Sequence, residues 1–119
     1  MFETTIVFGW KRPPLTANQR LHWAERAQLT RMVRTAAMMT APLETFEKVA
    51  VKLTWVVKDN RRRDADNIYP TFKALCDGLV DGGVVPDDTP QYMDKLAPFI
   101  RLEKDADPHF ELLIREVAS

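Results

Sequence analysis

This 119-residue sequence has a single cysteine, no long apolar run and no net charge, and each of these features excludes a class of protein. The single cysteine, Cys76, excludes an internal disulfide framework and a multi-cysteine zinc site, and its apolar neighbours predict a place in the core. No apolar run is long enough to cross a bilayer, and the first residues include Glu3 rather than the basic start of a secretory signal. We therefore expect a soluble cytoplasmic protein with one domain over 1–119.

The charged residues balance to a formal net charge of zero, which argues against a broadly cationic protein that coats nucleic acid. Their distribution along the chain is uneven, however. Residues 1–40 carry six basic and two acidic side chains, whereas residues 64–94 carry seven aspartates and one lysine. Basic segments beside an acidic centre indicate a protein that grips phosphates with the former and neutralises the latter with bound cations.

Residues 61–67 combine three arginines with two aspartates and are the most informative stretch of the chain. If this stretch is extended, Asp64 and Asp66 point to the same side, because successive side chains alternate. Two such carboxylates suit Mg²⁺, a hard cation that takes one or two carboxylates and keeps waters for phosphate substrates. Arginines bind phosphate through paired hydrogen bonds. The local sequence therefore predicts a magnesium site beside a phosphate site, as phosphodiester chemistry requires.

The hydrophobic pattern predicts an α+β domain with the element order β-α-β-α-β-β. Alternation over 49–57 predicts the clearest strand, and helical spacing after a Thr16 N-cap predicts the first helix. Pro70 and Gly82 bound the second helix. The turn at 105–108 predicts an antiparallel hairpin of the last two strands. The predicted ranges are strands over 4–8, 49–57, 96–102 and 110–117, and helices over 17–39 and 70–81.

Four groups of residues along the chain are similar to the pattern of one nuclease family. They are Asp64-x-Asp66-Asn67, Lys73, Asp77-Gly78-Leu79 and Val85-Pro86-Asp87-Asp88. The opening Pro13-Pro14-x-x-x-Asn18 fits the same pattern. Over nearly its whole length the chain resembles the RusA family of Holliday junction resolvases, small endodeoxyribonucleases that phages and prophages often encode. Residues 69–71 look like a short insert relative to that family, and the low basicity is a second departure.

The resemblance implies a RusA-like α+β homodimer with two active sites, each subunit having a mixed sheet packed with two helices. It implies that the enzyme cuts opposed strands of a four-way DNA junction with Mg²⁺, or with Mn²⁺ in its place, in a bacterial or phage-infected cell. The family's catalytic, metal-binding aspartates correspond to Asp64, Asp66 and Asp88, and its catalytic lysine corresponds to Lys73. Asp87 then orients the metal ligands from beside Asp88.

The side chains expected to contact DNA are basic residues from two segments of the chain. These are Lys11, Arg12, Arg61, Arg62 and Arg63. In an extended run alternate arginines face opposite sides, so for any one member of the triplet a solvated position is as reasonable as DNA contact.

Other features leave alternatives open. The tryptophans at 10, 23 and 55 are expected in the core or in a dimer interface, to which residues 96–100 also contribute. Two further functions remain open beside the resolvase: a magnesium-dependent nuclease of flaps or other branched DNA, and a binding module for branched DNA that has no turnover.

Overall fold

One long apolar strand organises the fold, because it pairs with three of the other four strands. The computed structural model describes residues 1–118. In chain order its elements are β1 (Glu3–Phe8), α1 (Trp23–Thr40), β2 (Val49–Val57), a 3-10 helix (Ala65–Ile68), α2 (Tyr69–Asp81), β3 (Met93–Lys95), β4 (Phe99–Leu102) and β5 (His109–Glu116). The prediction of an α+β domain with a mixed sheet and two helices is confirmed.

The central strand β2 has different partners on its two sides. On one side β5 runs antiparallel to it, and β1 pairs antiparallel with β5 at the outer edge. On the other side β3 and β4 pair in parallel with successive halves of β2. The predicted hairpin of the last two strands is therefore wrong, since β2 lies between β4 and β5. The turn at 105–108 shows that the chain reverses there, but a turn does not determine which strand each segment pairs with.

The two helices contribute unequally to the core. Helix α2 buries seven residues, among them Cys76, so the prediction of a core cysteine is confirmed. Helix α1 buries only Val33 and Ala37. These side chains join the strands in one hydrophobic cluster. Helix α1 therefore leaves most of its surface exposed, while α2 is held firmly and can position side chains accurately.

The first helix begins six residues later than predicted, at Trp23. Its N-cap is His22, whose Nδ1 accepts a hydrogen bond from the Ala24 amide at 3.2 Å, so the expectation of a Thr16 cap is wrong. The segment before it is held as a loop by a buried contact with α2. The Thr71 hydroxyl accepts from the Leu15 amide at 3.0 Å and donates to the Leu15 carbonyl at 2.7 Å. This contact depends on tertiary structure, so helical periodicity alone could not show it.

Strand β3 was not predicted, and it adds one element to the predicted order. It has three residues, Met93–Lys95, which is too short for an alternating pattern to appear in the sequence. The predicted strand over 96–102 begins three residues later, at Phe99. The boundaries of β1, α2 and β5 agree with the predictions to within one residue, and β2 matches at both ends. Among residues 1–118 no helix has the length and apolar character needed to span a membrane.

Candidate functional site

The aspartate pair Asp64 and Asp66 lies between the end of β2 and the start of α2. Asp64 is extended and caps the 3-10 helix, its carboxylate accepting a hydrogen bond from the Asp66 amide at 3.0 Å. Asp66 belongs to the helix itself, so the condition for both side chains to point to the same side, a single extended run, is not met. The Asp64 side chain competes with the backbone for the amide of residue 66, which favours a capped turn over a strand. Both aspartates are exposed.

A second charged group, the lysine–aspartate network, consists of Lys73, Asp77, Asp88 and Lys95. The Asp88 Oδ2 atom lies 2.7 Å from the Lys73 Nζ and 2.7 Å from the Lys95 Nζ. The Lys73 Nζ also lies 2.8 Å from the Asp77 Oδ1, one helical turn along α2. The structure thus brings together two of the predicted catalytic residues, Lys73 and Asp88. The segment at 69–71 lies in the first turns of α2 and does not separate them.

The charges of this network reinforce one another. Hydrogen bonds from Lys73 and then Lys95 hold the pKa of the Asp88 carboxyl well below its usual range, although burial acts in the opposite direction. Hydrogen bonds to Asp77 and then Asp88 raise the pKa of the Lys73 amine. Asp88 is therefore an anion and Lys73 a cation across the ordinary pH range.

Sequence reasoning missed Lys95 and left the role of Asp77 open. Lys95 lies on β3, and no pattern in the sequence signals that strand. Its parallel pairing with β2 places Lys95 opposite Val51. The i, i+4 spacing of Lys73 and Asp77 on a predicted helix was a usable signal, since residues one turn apart share a helix face.

Asp87 contacts its neighbour rather than another element. Its Oδ1 accepts a hydrogen bond from the Asp88 amide at 2.8 Å. This contact fixes the backbone that presents the Asp88 carboxylate. It is compatible with the predicted orienting role of Asp87, although the group oriented here is an ion pair between side chains.

The three aspartates predicted to bind metal do not form one cluster. Within residues 1–118 no group of three His, Cys, Asp or Glu side chains is placed to hold a metal ion. The chemistry of the Asp64–Asp66 pair nevertheless fits Mg²⁺, which takes one or two carboxylates and completes its shell with water. The Asp88 Oδ2 atom is held by Lys73 and Lys95, so a metal ion at this carboxylate shares it with two protein cations.

A groove of about 1010 Å³ joins the N-terminal loop to the start of the aspartate pair. Its charged lining residues are Lys11, Arg12, Arg62, Arg63 and Asp64. We call it the basic groove. Four of the five predicted phosphate-binding residues therefore share one surface with one of the predicted metal ligands, and only Arg61 lies outside the lining. The two segments are about 50 residues apart in the chain, so the fold alone brings them together.

The three arginines of the triplet have different roles. Arg63 is 17% exposed, donates to the Asp59 carboxylate at 2.8 Å and lies 5.2 Å from the centre of the Trp55 ring. Arg61 is 81% exposed and has only a loose contact with Asp59 at 3.6 Å. Arg62 is also exposed, and no ion pair holds it within the described residues. Arg63 is thus a structural member of the groove wall, while Arg62 is available to bind phosphate.

The tryptophans also differ from one another. Trp10 and Trp55 are half-buried and pack against the core, as expected, and both line the basic groove. Trp23 is exposed at the start of α1. It lies outside the core, so of the two expectations only the dimer interface remains for this residue, and it stays a prediction.

Neither a protein-family model nor a curated protein matches the sequence.

Proposed function

We propose that this protein is a Mg²⁺-dependent endonuclease that resolves four-way DNA junctions by paired nicks, with a RusA-like fold and active site. Mn²⁺ is expected to substitute for Mg²⁺. The proposal rests on the resemblance of the motif residues, on the hard oxygen ligands of Asp64 and Asp66, and on the cations around them.

One observation carries most of the weight: Asp64 lines the same groove as Lys11, Arg12 and Arg62. A phosphate held by these cations lies beside the carboxylates that are proposed to bind the metal. An acidic side chain facing phosphate weakens simple DNA binding by repulsion, so a protein that only binds gains nothing from it. A hydrolytic enzyme does gain, because a metal ion held there stabilises charge on the scissile phosphate.

Each residue of the proposed active site has a distinct role. Bound Mg²⁺ supplies an activated water and stabilises charge on the phosphate. Asp64 and Asp66 hold it, and Arg62 orients the phosphate. Lys73 is a compact point charge that stabilises the negative charge developing on the reacting oxygens. Asp88 holds the Lys73 amine beside the loop after α2 through an ion pair of 2.7 Å.

A homodimer is part of the proposal, because paired nicks in one bound lifetime require two active sites related by symmetry. Exposed apolar side chains along the edge of the sheet formed by β4 support it. Leu96, Phe99 and Leu102 lie on or beside β4, and each keeps about half of its surface exposed. Sedimentation at working concentration tests this part, and a monomer would contradict it.

A second candidate is a protein that binds branched DNA without cutting it. The specific observation in its favour is that both Lys73 and Lys95 contact the Asp88 carboxylate, which leaves this residue neutralised by protein cations. In that case the network is a structural ion-pair cluster, and the cations of the groove bind phosphate only.

The decisive experiment compares wild type with Asp66→Asn on a synthetic four-way junction, a flap and a linear duplex, with Mg²⁺ and with chelator. Asp105→Asn is the matched control, because Asp105 is an exposed turn residue distant in sequence from the site. We expect symmetric nicks only in the junction and only with Mg²⁺. Asp66→Asn should bind normally but cut roughly 100-fold more slowly or worse, since a metal ligand contributes several kcal/mol to the transition state.

The outcomes separate the candidates. Binding without cutting under any divalent ion favours the binding protein. If flaps are cut in preference to junctions, the proposed metal site stands and the proposed substrate is wrong. Equal activity of Asp66→Asn and Asp105→Asn would remove the proposed role of Asp66.

A further inference from the structure

The lining of the basic groove is apolar as well as cationic, and phosphate binding does not account for the apolar part. Its apolar lining residues are Trp10, Pro13, Pro14, Leu29, Met32 and Trp55. A duplex offers phosphates and sugars on its outside, and its stacked bases expose only their edges, in the grooves. A duplex laid across the cations therefore leaves the apolar part of the groove unfilled and wet.

Two ring stacks and one hydrogen bond hold the aromatic part of the groove in place. Trp55 stacks on Phe110 with ring centres 5.6 Å apart, and its indole N–H donates to the Lys11 carbonyl at 3.2 Å. Trp10 stacks on Phe8 with ring centres 4.8 Å apart. Because the core fixes both rings, the groove is formed before any ligand enters and pays little ordering entropy on binding.

The remaining apolar surface comes from α1. Met32 is 43% exposed and lines the groove together with Leu29. Methionine side chains are flexible and polarisable, and they adapt to flat aromatic ligands. The groove volume of about 1010 Å³ matches the upper end of pockets that enclose small organic ligands, so it has room for a base.

The groove also contains one polar group suited to a base edge. The side-chain amide of Asn67 makes no hydrogen bond within residues 1–118, although its backbone amide donates to the Asp64 carbonyl. By contrast, Gln19 is committed to the loop, accepting from the Thr16 amide and donating to the Pro14 carbonyl at 3.3 Å each. Asn67 therefore offers a donor and an acceptor near Asp64.

We propose that the basic groove binds an unstacked base of the DNA strand whose phosphate lies beside Asp64. The cations hold the backbone of this strand, and the apolar residues cover the exposed base. This inference rests on the proposed function, since it takes the ligand to be DNA. It adds that the preferred substrate has an unpaired or easily unstacked nucleotide next to the cut.

The test compares two labelled single-stranded oligonucleotides of equal length, one with bases and one fully abasic, by fluorescence anisotropy in chelator. Both carry the same number of phosphates, so contributions from the cations cancel. Wild type should bind the base-bearing oligonucleotide roughly 5- to 150-fold more tightly, the range expected for one stacked base. Equal affinities, or no binding of the base-bearing strand, would overturn the proposal.

A matched pair of variants locates the effect. Met32→Ser removes apolar surface from the groove, whereas Met39→Ser alters a 76%-exposed methionine of the same helix outside it. Met32→Ser should reduce the ratio of the two affinities several-fold and leave the abasic affinity unchanged, and Met39→Ser should change neither. An unchanged ratio in Met32→Ser would show that the base binds elsewhere.

This test is independent of cleavage. A protein that never nicks a junction can still prefer the base-bearing strand, and an active nuclease can bind both strands equally. Failure of the inference is thus distinguishable from failure of the proposed function.

Discussion

Replacing Gly78 by alanine should destabilise the protein, although the same change in an exposed helix usually stabilises it. Gly78 lies on α2 where this helix meets α1. A Cβ atom built on Gly78 comes closer than van der Waals contact to the Arg34 carbonyl oxygen and lies 2.7 Å from the Ala37 Cβ. The Arg34 oxygen belongs to helical backbone, so no rotation of a side chain relieves the contact and α1 as a whole must move.

The size of the effect follows from two opposing terms. Alanine gains about 1 kcal/mol over glycine in helix propensity. Overpacking of a filled site costs about 1–3 kcal/mol, and a clash with backbone lies at the upper end of that range. The free energy of unfolding should therefore fall by about 2 kcal/mol. For a domain of this size that corresponds to a melting temperature lower by roughly 8 °C.

Thermal unfolding followed by circular dichroism measures this difference. Gly9→Ala is the matched control, because a Cβ atom at Gly9 meets nothing within 4 Å. The control should change the free energy of unfolding by less than about 0.5 kcal/mol. If Gly78→Ala melts at or above the temperature of the wild type, the close approach of the two helices is wrong. The glycine of the Asp77-Gly78 motif would then need a reason other than packing.

Three further predictions concern other parts of the chain. Thr71→Val should lower the free energy of unfolding in urea by roughly 1–3 kcal/mol, because it leaves the Leu15 amide and carbonyl unpaired. Thr71→Ser should recover most of this loss, and an equal loss in the two variants would refute the reasoning. Burial raises the pKa of the Cys76 thiol to about 12, so a thiol reagent should label only unfolded chains, and rapid labelling of native protein would contradict this. The Asp107 carbonyl and then Glu111 raise the pKa of His109. The stability that protonated His109 adds to the folded protein is therefore fully present below the usual histidine pKa and is lost as the pH rises through the raised pKa. His109→Gln should abolish this pH dependence of the free energy of unfolding.

Local sequence determined the elements whose signals are carried by neighbouring residues. The alternation over 49–57 predicted β2 at both ends, since apolar residues at a spacing of two are typical of a strand. Pro70 and Gly82 bounded α2, because proline suits a first turn and glycine suits the residue after the last. The apolar neighbours of Cys76 predicted its burial, because an apolar helix face packs against the core. The candidate residues Asp64 and Asp66 were also visible, as unusual charges side by side.

Only the tertiary structure decided which distant residues meet. Lys95 contacts Asp88 because a three-residue strand pairs with β2, and so short a strand leaves no periodic signal. Helix α1 begins later than predicted because Thr71 holds Leu15 in a loop. These two residues are 56 positions apart in the chain. The basic groove also depends on tertiary structure, because packing brings the N-terminal loop beside Asp64. Hydrophobic periodicity reports the neighbours of a residue along the chain, whereas a site is built from neighbours in space.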